Sequence, residues 1–323
     1  MTSRTTPQPT GPTGGGRQPG ETTLLRRLLQ SKLSLLGLLG VMFFLGIAVF
    51  GPLLTPHDPS ALGGPSLQPP DATHWMGTDN FGRDVFSRFL SGSRVSIFVG
   101  ISSVGMGLIL GTLFGMIAGW KSSTPWDGII MRGMDVILAF PLLVMVPVIT
   151  GVFEARGFSL GPISIGPVPL VAAAIGIVLT PLFARIARSS VLAEMREDYV
   201  LAARSFGARR RDILISNLLP NIMAPLVVQA AFTLATAITI EAAVSFLGLG
   251  VQPPAASWGT MLSDGRQYIT LGGWWLVAFP SVAIALAVLS FNLLGDEFRD
   301  QLDPRAKTSA PATDSPTSGE AAT

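Results

Sequence analysis

Between Arg185 and Pro220 the chain carries a dense run of charge, from Arg188, Glu194, Arg196, Glu197 and Asp198 to Arg209, Arg210, Arg211 and Asp212, set between two segments apolar enough to cross a bilayer. These residue types in this order form no catalytic set; what they offer is a docking surface. Tyr199, Ala202, Ala203 and Phe206 fall at helical spacing on one face, so the stretch reads as a short amphipathic helix carrying Arg204 beside them. Gly207 stands where that helix would stop, because glycine takes the left-handed conformation after a helix end at no steric cost. The two alanines leave room for another protein's surface, and Phe206 offers a bulky apolar plug. An ordinary solvated loop between spans is the plainer alternative.

Few other side chains could do chemistry. Glu241 lies inside an apolar segment, where a carboxylate is costly unless paired or hydrated. It belongs either on a translocation path or partner contact, or in a hydrogen bond to a neighbouring helix. Asp135 follows Arg132 by one turn, which predicts a local ion pair. His57 and His74 are the only histidines, and without clustered acidic or thiol ligands they read as loop residues, not as a metal site. There is no cysteine, hence no disulfide or thiolate site. No G-x-x-x-x-G-K-[ST] occurs, so the chain has no Walker loop for ATP, and nucleophile-elbow, zinc and kinase signatures are missing too. Any use of ATP must be borrowed.

The elements that position these residues are membrane spans. With 48% hydrophobic and 13% charged residues and a mean hydropathy of +0.51, the chain is too apolar for an ordinary soluble domain. Six segments reach the roughly 20 residues that a bilayer requires: Leu33–Leu54, Val95–Trp120, Ile129–Phe153, Ile165–Ala187, Ala224–Leu249 and Leu271–Leu294. Placing both ends inside puts 17 of the 22 lysines and arginines on the cytoplasmic side, as the positive-inside rule favours, and puts the Arg185–Pro220 island there as well. The first segment is longer than a signal-peptide core and lacks a small-residue cleavage site, so it reads as an uncleaved span. The basic residues are accounted for by topology, and the net charge of +2 gives no reason to invoke nucleic acid. Gly107, Gly111, Gly115 and Gly119 recur every fourth residue, a smooth stripe for close helix packing. The expected organisation is a disordered cytoplasmic tail at 1–22, a first transmembrane helix and outer loop at 23–94, a core at 95–305 with a cytoplasmic loop at 188–222, and a second disordered cytoplasmic tail at 306–323.

Five blocks carry a resemblance. Ala202, Ala203, Gly207, Leu219 and Pro220 fit the spacing of the EAA loop of ABC importer permeases, the helix that docks on the ATPase subunit. Leu201 stands where that family has Glu, and Asn217 where it often has Ile; an ion pair through the first position would fall to Glu194, Glu197 or Asp198. The outer stretch Gly77, Thr78, Asp79, Gly82, Arg83, Asp84, Val85, Ser87 and Arg88 resembles the G-T-D-x-x-G-R-D-V-x-S-R signature of the dipeptide, oligopeptide and nickel branch. Met131 to Pro141, Glu241 to Pro254 and Phe291 to Arg305 are similar to further blocks of that branch, so the likeness runs from about residue 74 to residue 305.

The resemblance implies an all-α, polytopic membrane protein with six transmembrane helices, a type I ABC importer (MetI-like) transmembrane domain in a bacterial inner membrane. Its implied partners are a second homologous permease subunit, two ABC ATPase subunits, an extracytoplasmic peptide-binding protein and membrane lipid. This chain itself would bind no cofactor; ATP and Mg²⁺ would sit on the ATPases. Tyr199, Ala202, Ala203, Arg204, Phe206, Gly207 and Pro220 would couple to the ATPase. Peptides are the expected cargo, with nickel chelates or glutathione as alternatives within the branch. A secondary transporter or channel, a membrane-embedded enzyme and a structural scaffold are the readings from other classes. The first should show more intramembrane charge, the second a catalytic pair, and the third does not explain the outer signature.

Overall fold

The computed structural model describes residues 32–155, 159–160, 163–164, 166–253 and 255–302. The tails predicted at 1–22 and 306–323, Pro254, and residues 303–305 of the last block lie outside that set.

Helix α1 (Lys32–Phe50) runs into one 3₁₀ turn, Gly51–Leu53, and a long loop leads to α2 (Val85–Trp120). Helices α3 (Pro125–Ala139) and α4 (Leu142–Ala155) follow, then a minimal antiparallel hairpin of β1 (Ser159–Leu160) and β2 (Ile163–Ser164). That hairpin and one isolated bridge, Thr78 with Asp84, are the strand-like pairings among the described residues. Helix α5 (Pro167–Glu194), the short α6 (Asp198–Ser205), the long α7 (Arg210–Phe246), the short α8 (Trp258–Gly265) and α9 (Trp275–Leu302) complete the chain.

Five helices, α1 with its 3₁₀ turn, α2, α5, α7 and α9, are long and apolar enough to cross a membrane. The sixth expected span is not one straight helix. Helices α3 and α4 bend by 100° at Phe140–Pro141, and only as one broken span do they make up the number. The cause is local: Pro141 disfavours helical backbone in the residue before it, and Phe140 is extended at ψ 138°. The second span also begins ten residues before the predicted Val95. Asp84 caps the helix by accepting a hydrogen bond from the Ser87 amide at 2.8 Å, so the outer signature runs directly into α2. Arg88 and Arg94 interrupt the apolar run, yet a helix of 36 residues, about 54 Å long, easily outreaches a hydrocarbon core of about 30 Å.

The core is organised by α2 lying against α5. The glycine stripe is the contact surface: Gly107 meets Gly176 and Leu179, Gly111 meets Thr180, Phe183 and Ala184, Gly115 meets Ala184 and Ala187, and Gly119 meets Val191. A methyl group on Gly111 would lie 2.5 Å from Phe183 Cβ and 2.6 Å from the Thr180 carbonyl oxygen, so only a bare backbone fits there. Beyond this seam the buried cluster extends through Val99, Ile175, Leu179 and Phe183 to Leu226, Ala237 and Val244 of α7. A second cluster joins Val41 and Phe44 of α1 to Ile238, Trp258, Leu276, Ala287 and Phe291, so α1 is held mainly by α9 and the outer end of α2. One side of α1 shows Leu36, Leu39, Met42 and Phe43 on its surface, an apolar face of the kind that lipid covers.

The seam predicts a position-specific cost. Gly111→Ala should destabilise the purified protein by about 1–3 kcal/mol through overpacking. Gly105→Ala on the same helix, where nothing lies within 4 Å of the added methyl, should change stability by no more than about 0.5 kcal/mol. Thermal unfolding in detergent of the two variants side by side checks this.

Candidate functional site

The chemistry-bearing residues gather at the two opposite ends of the helix bundle. At one end the connection from α5 to α7 makes a compact knuckle. Helix α6 buries Val200 completely beside Val191, Ile213, Leu218 and Ile222, and Ala203 packs inward next to it. Ala203 therefore leaves the exposed face on which the spacing predicted it, while Ala202 stays outside. The helix ends as the sequence suggested: Gly207 takes φ +76°, its amide donates to the Arg204 carbonyl and the Ala208 amide to the Ala203 carbonyl, both at 3.0 Å. That paired arrangement satisfies carbonyls that a helix end otherwise leaves open. It also fixes the orientation of Phe206, which is 91% exposed despite being among the most apolar residues of the knuckle.

Tyr199 clasps the knuckle together. Its hydroxyl donates to Glu194 at the end of α5 and accepts from Asn221 Nδ2 at 2.9 Å near the start of α7. Burial, and then the hydrogen bond to Glu194, push the phenol above its usual range, so it stays protonated as a donor. Glu194 is thereby engaged within the chain, while Leu201 is exposed next to it. Arg204 stacks its guanidinium 5.2 Å above the Trp120 ring at the end of α2, tying the knuckle to the seam. Pro220 is exposed in α7, directly after a π-helical stretch, Ile213–Leu218, in which the Leu219 amide reaches back to the Leu214 carbonyl. Proline has no amide to donate, and the wide turn is where the helical ladder gives way to it. Nearby, Asp135 pairs with Arg185 of α5 at 2.6 Å and not with Arg132 as its spacing predicted, because the side chain meets α5 across the helix interface. Arg188 forms a two-pronged bond to Asp127, both arms at 2.6 Å, pinning α3 to α5.

At the other end the outer signature folds into a rigid clip. Asp79 Oδ1 accepts the Phe81 and Arg83 amides at 2.8 and 2.9 Å, and Gly77 and Gly82 take φ +74° and +75° at the turns on either side. Thr78 is fully buried; its carbonyl accepts Trp275 Nε1 of α9 at 3.1 Å, and its backbone pairs with Asp84. Arg83 Nε donates to Asp79 at 2.6 Å, and the buried Arg88 lies 3.7 Å from Asp79 and 3.2 Å from Asp264 of α8. Burial pushes the Asp264 carboxyl above its ordinary range, an effect that Arg88 and then Arg83 offset in part. Sequence reasoning missed Asp264, since 176 positions separate it from Arg88 and no spacing signal links them.

Glu241 stands just beneath this clip. It is fully buried, accepting Ser96 Oγ of α2 at 3.0 Å and Ser245 Oγ at 2.8 Å. Each serine in turn accepts an amide, Ser96 from Trp258 and Ser245 from Val251, both at 3.2 Å. The carboxylate is thus the hub at which α2, α7 and α8 meet, fully buried among the described residues. Of the partners around it, only Ser245, one turn further along the same helix, was legible from spacing.

The structure overturns one further expectation. His57 and His74 do have an acidic neighbour: His74 Nδ1 lies 2.9 Å and His57 Nδ1 3.7 Å from the carboxylate of Asp84. The loop folds back on itself and brings together residues 17 and 10 positions apart, which no local pattern announces.

The profile described as "Binding-protein-dependent transport system inner membrane component" matches residues 111–308, and that of the "N-terminal TM domain of oligopeptide transport permease C" matches residues 23–74. The chain is 42% identical over 286 residues to the dipeptide transport system permease protein DppC of Alkalihalophilus pseudofirmus, covering 88% of this chain and 89% of the relative. It is 42% identical over 281 residues to the di/tripeptide transport system permease protein DppC of Pseudomonas aeruginosa, covering 85% and 88%. Among solved structures, inward-facing conformations of the MetNI methionine ABC transporter contain a chain of similar fold, with a TM-score of 0.52 at 19% identity over 67% of this chain and 96% of that one.

The clip should be sensitive to its buried cation. Arg88→Met leaves Asp79 without one of its two arginines and Asp264 without its nearer one, and should cost about 3 kcal/mol, as breaking a buried pair does. Arg94→Met, at an exposed position on the same helix, should cost under about 0.5 kcal/mol. Thermal unfolding midpoints of the purified variants distinguish the two.

Proposed function

This chain belongs to the family of binding-protein-dependent transport system inner membrane components, and from that premise we propose that it is a permease subunit of an ATP-driven importer of di- and oligopeptides. It is a multi-pass inner-membrane protein. The peptide assignment rests on the relatives at 42% identity, whose names specify dipeptide and di/tripeptide transport. The chain pairs with a second homologous permease, two ABC ATPase subunits engage the pair from the cytoplasm, and a peptide-binding protein delivers cargo outside. ATP and Mg²⁺ bind on the ATPases, and this subunit carries out no reaction of its own. Both of its ends and the knuckle face the cytoplasm, in keeping with 17 of its 22 lysines and arginines falling on that side.

The observation that carries the reading is Phe206. A large aromatic side chain left 91% exposed on a short, firmly capped helix is a plug without a pocket among the described residues. The ATPase supplies that pocket, and Tyr199, Ala202, Ala203, Arg204, Gly207 and Pro220 shape the helix that presents the plug. When the ATPases close on ATP, the knuckle moves as a unit and draws α5 and α7 with it, because its contacts to both are hydrogen-bonded and packed. The cavity between the two permeases opens outward to receive peptide, and hydrolysis resets it inward.

Since the chain has no cysteine, one introduced at position 206 reports without background. Phe206→Cys should react with an impermeant thiol reagent in inside-out vesicles stripped of the ATPase subunits and not in intact cells. Phe206→Asp in the assembled transporter should lower peptide uptake about tenfold or more while the complex still hydrolyses ATP. Labelling from outside, or coupled uptake at the normal rate in the Asp variant, overturns the assignment.

A further inference from the structure

The outer loop holds a group of side chains that the transport reading leaves unused. His57, His74 and Asp84 each present a ligand atom, and these atoms lie within 4.8 Å of one another. The imidazole rings face each other with centroids 4.9 Å apart. His74 Nδ1 is 2.9 Å from Asp84 Oδ1, and His57 Nδ1 is 3.7 Å from Asp84 Oδ2. A tetrahedral metal with bonds of about 2.0–2.1 Å separates its ligand atoms by roughly 3.3–3.4 Å, midway between those two distances. The two contacts run to different oxygens of Asp84, and turning the three side chains onto one ion would make the group three legs of a tetrahedron.

Two observations set this group apart from an ordinary cluster of polar side chains. First, His57 Nδ1 is enclosed and makes no hydrogen bond among the described residues. A buried ring nitrogen left in that state is costly unless something is bound to it. Second, the surroundings already hold the ligands in place. Asp84 Oδ2 accepts both the amide and the hydroxyl of Ser87, at 2.8 and 2.7 Å, while Oδ1 makes its contact with His74. The His57 amide donates to the same Ser87 hydroxyl oxygen at 3.2 Å, and the His74 amide is held by Asp71 at 2.6 Å. Such outer contacts orient ligands before a metal arrives.

We propose that His57, His74 and Asp84 bind one divalent transition-metal ion, with Zn²⁺ the best fit. Two imidazoles and one carboxylate suit Zn²⁺, Cu²⁺ or Ni²⁺ and not the all-oxygen shells of Ca²⁺ or Mg²⁺. With three protein ligands the fourth position goes to water. The ion joins three points of the loop, just after α1, midway along and at the cap of α2, so it acts as a clip on the outer loop. It takes no part in the ATP-driven step, and its presence does not depend on which cargo is carried.

The test uses the full-length, tag-free chain in lipid nanodiscs, stripped with chelator and titrated with Zn²⁺ against a competing chromophoric chelator. One Zn²⁺ per chain should bind with a micromolar or tighter Kd. His57→Phe should weaken binding at least tenfold, and His57→Phe with His74→Gln should abolish it. Co²⁺ should give the d–d absorption of a tetrahedral site in the wild type and lose it in His57→Phe. Because His57 lies partly open on the loop, the metal-free thermal midpoint of His57→Phe should match the wild type, which separates lost ligation from lost fold. Unsaturable binding, or a Kd unchanged in His57→Phe, would show a histidine–aspartate ion pair only and overturn the proposal.

Discussion

The close approach of α2 and α5 along four glycines is the constraint on which the rest of the molecule depends. Helices in lipid gain little from hydrophobic burial against each other, so they are held by dispersion contacts that require backbones to come very near. Gly107, Gly111, Gly115 and Gly119 allow that over a little more than three turns, and a carbonyl or Cβ of α5 fills the space where each side chain would have been. The seam is therefore close-packed and behaves as one body, since a dense interface shifts between discrete arrangements and does not deform smoothly.

What is attached to the two ends of that body follows from its length. Helix α2 reaches from the outer clip at Asp84 to Trp120 beside Arg204, so a single helix touches both groups of polar contacts. At the outer end Arg88 and Ser96 tie it to α8 and, through Glu241, to α7. At the other end the α5–α7 connection is closed by the Tyr199 clasp. A buried carboxylate such as Glu241 would be a liability in isolation. Here each of its oxygens accepts a serine hydroxyl, and each serine passes the chain of bonds on to a backbone amide, so its cost is met by fixing three helices at one point.

Much of this was legible in the sequence, for identifiable reasons. The glycine stripe, the end of α6 and five of the six spans depend on local periodicity and on the conformational freedom of Gly207, and these are present where the residues indicated, with α2 beginning ten residues earlier. Contacts between distant segments were not legible. Asp264 with Arg88, Ser96 with Glu241, and His57 with Asp84 are joined only after the chain has folded, and no spacing rule reaches over those separations. The errors have the same origin. Asp135 was assigned to its neighbour Arg132 because only the helix's own periodicity was available, whereas the nearer cation in space, Arg185, comes from α5. The break at Phe140–Pro141 was readable in principle, yet a tally of apolar residues passes over a single proline that changes the direction of the chain by 100°.

The contrast between the two ends bears on how such a subunit can move. Polar groups of the outer clip are satisfied almost entirely within the chain: Thr78, Asp79, Asp84 and Arg88 are all buried and bonded. The knuckle is equally well bonded on its inner side, through Val200, Tyr199 and Arg204, but its outer side ends in the exposed side chains of Ala202, Leu201 and Phe206. An element that is rigid toward its own helices and unsatisfied outward passes on a push without absorbing it. If α6 were loosely held, binding at Phe206 would merely displace a loop; with Gly207 closing its end and Tyr199 bridging α5 to α7, displacement of Phe206 must carry two membrane-spanning helices with it. In the proposed coupling the exposed aromatic residue and the buried glycine seam would be two parts of one device, the first receiving a force and the second delivering it across the bilayer.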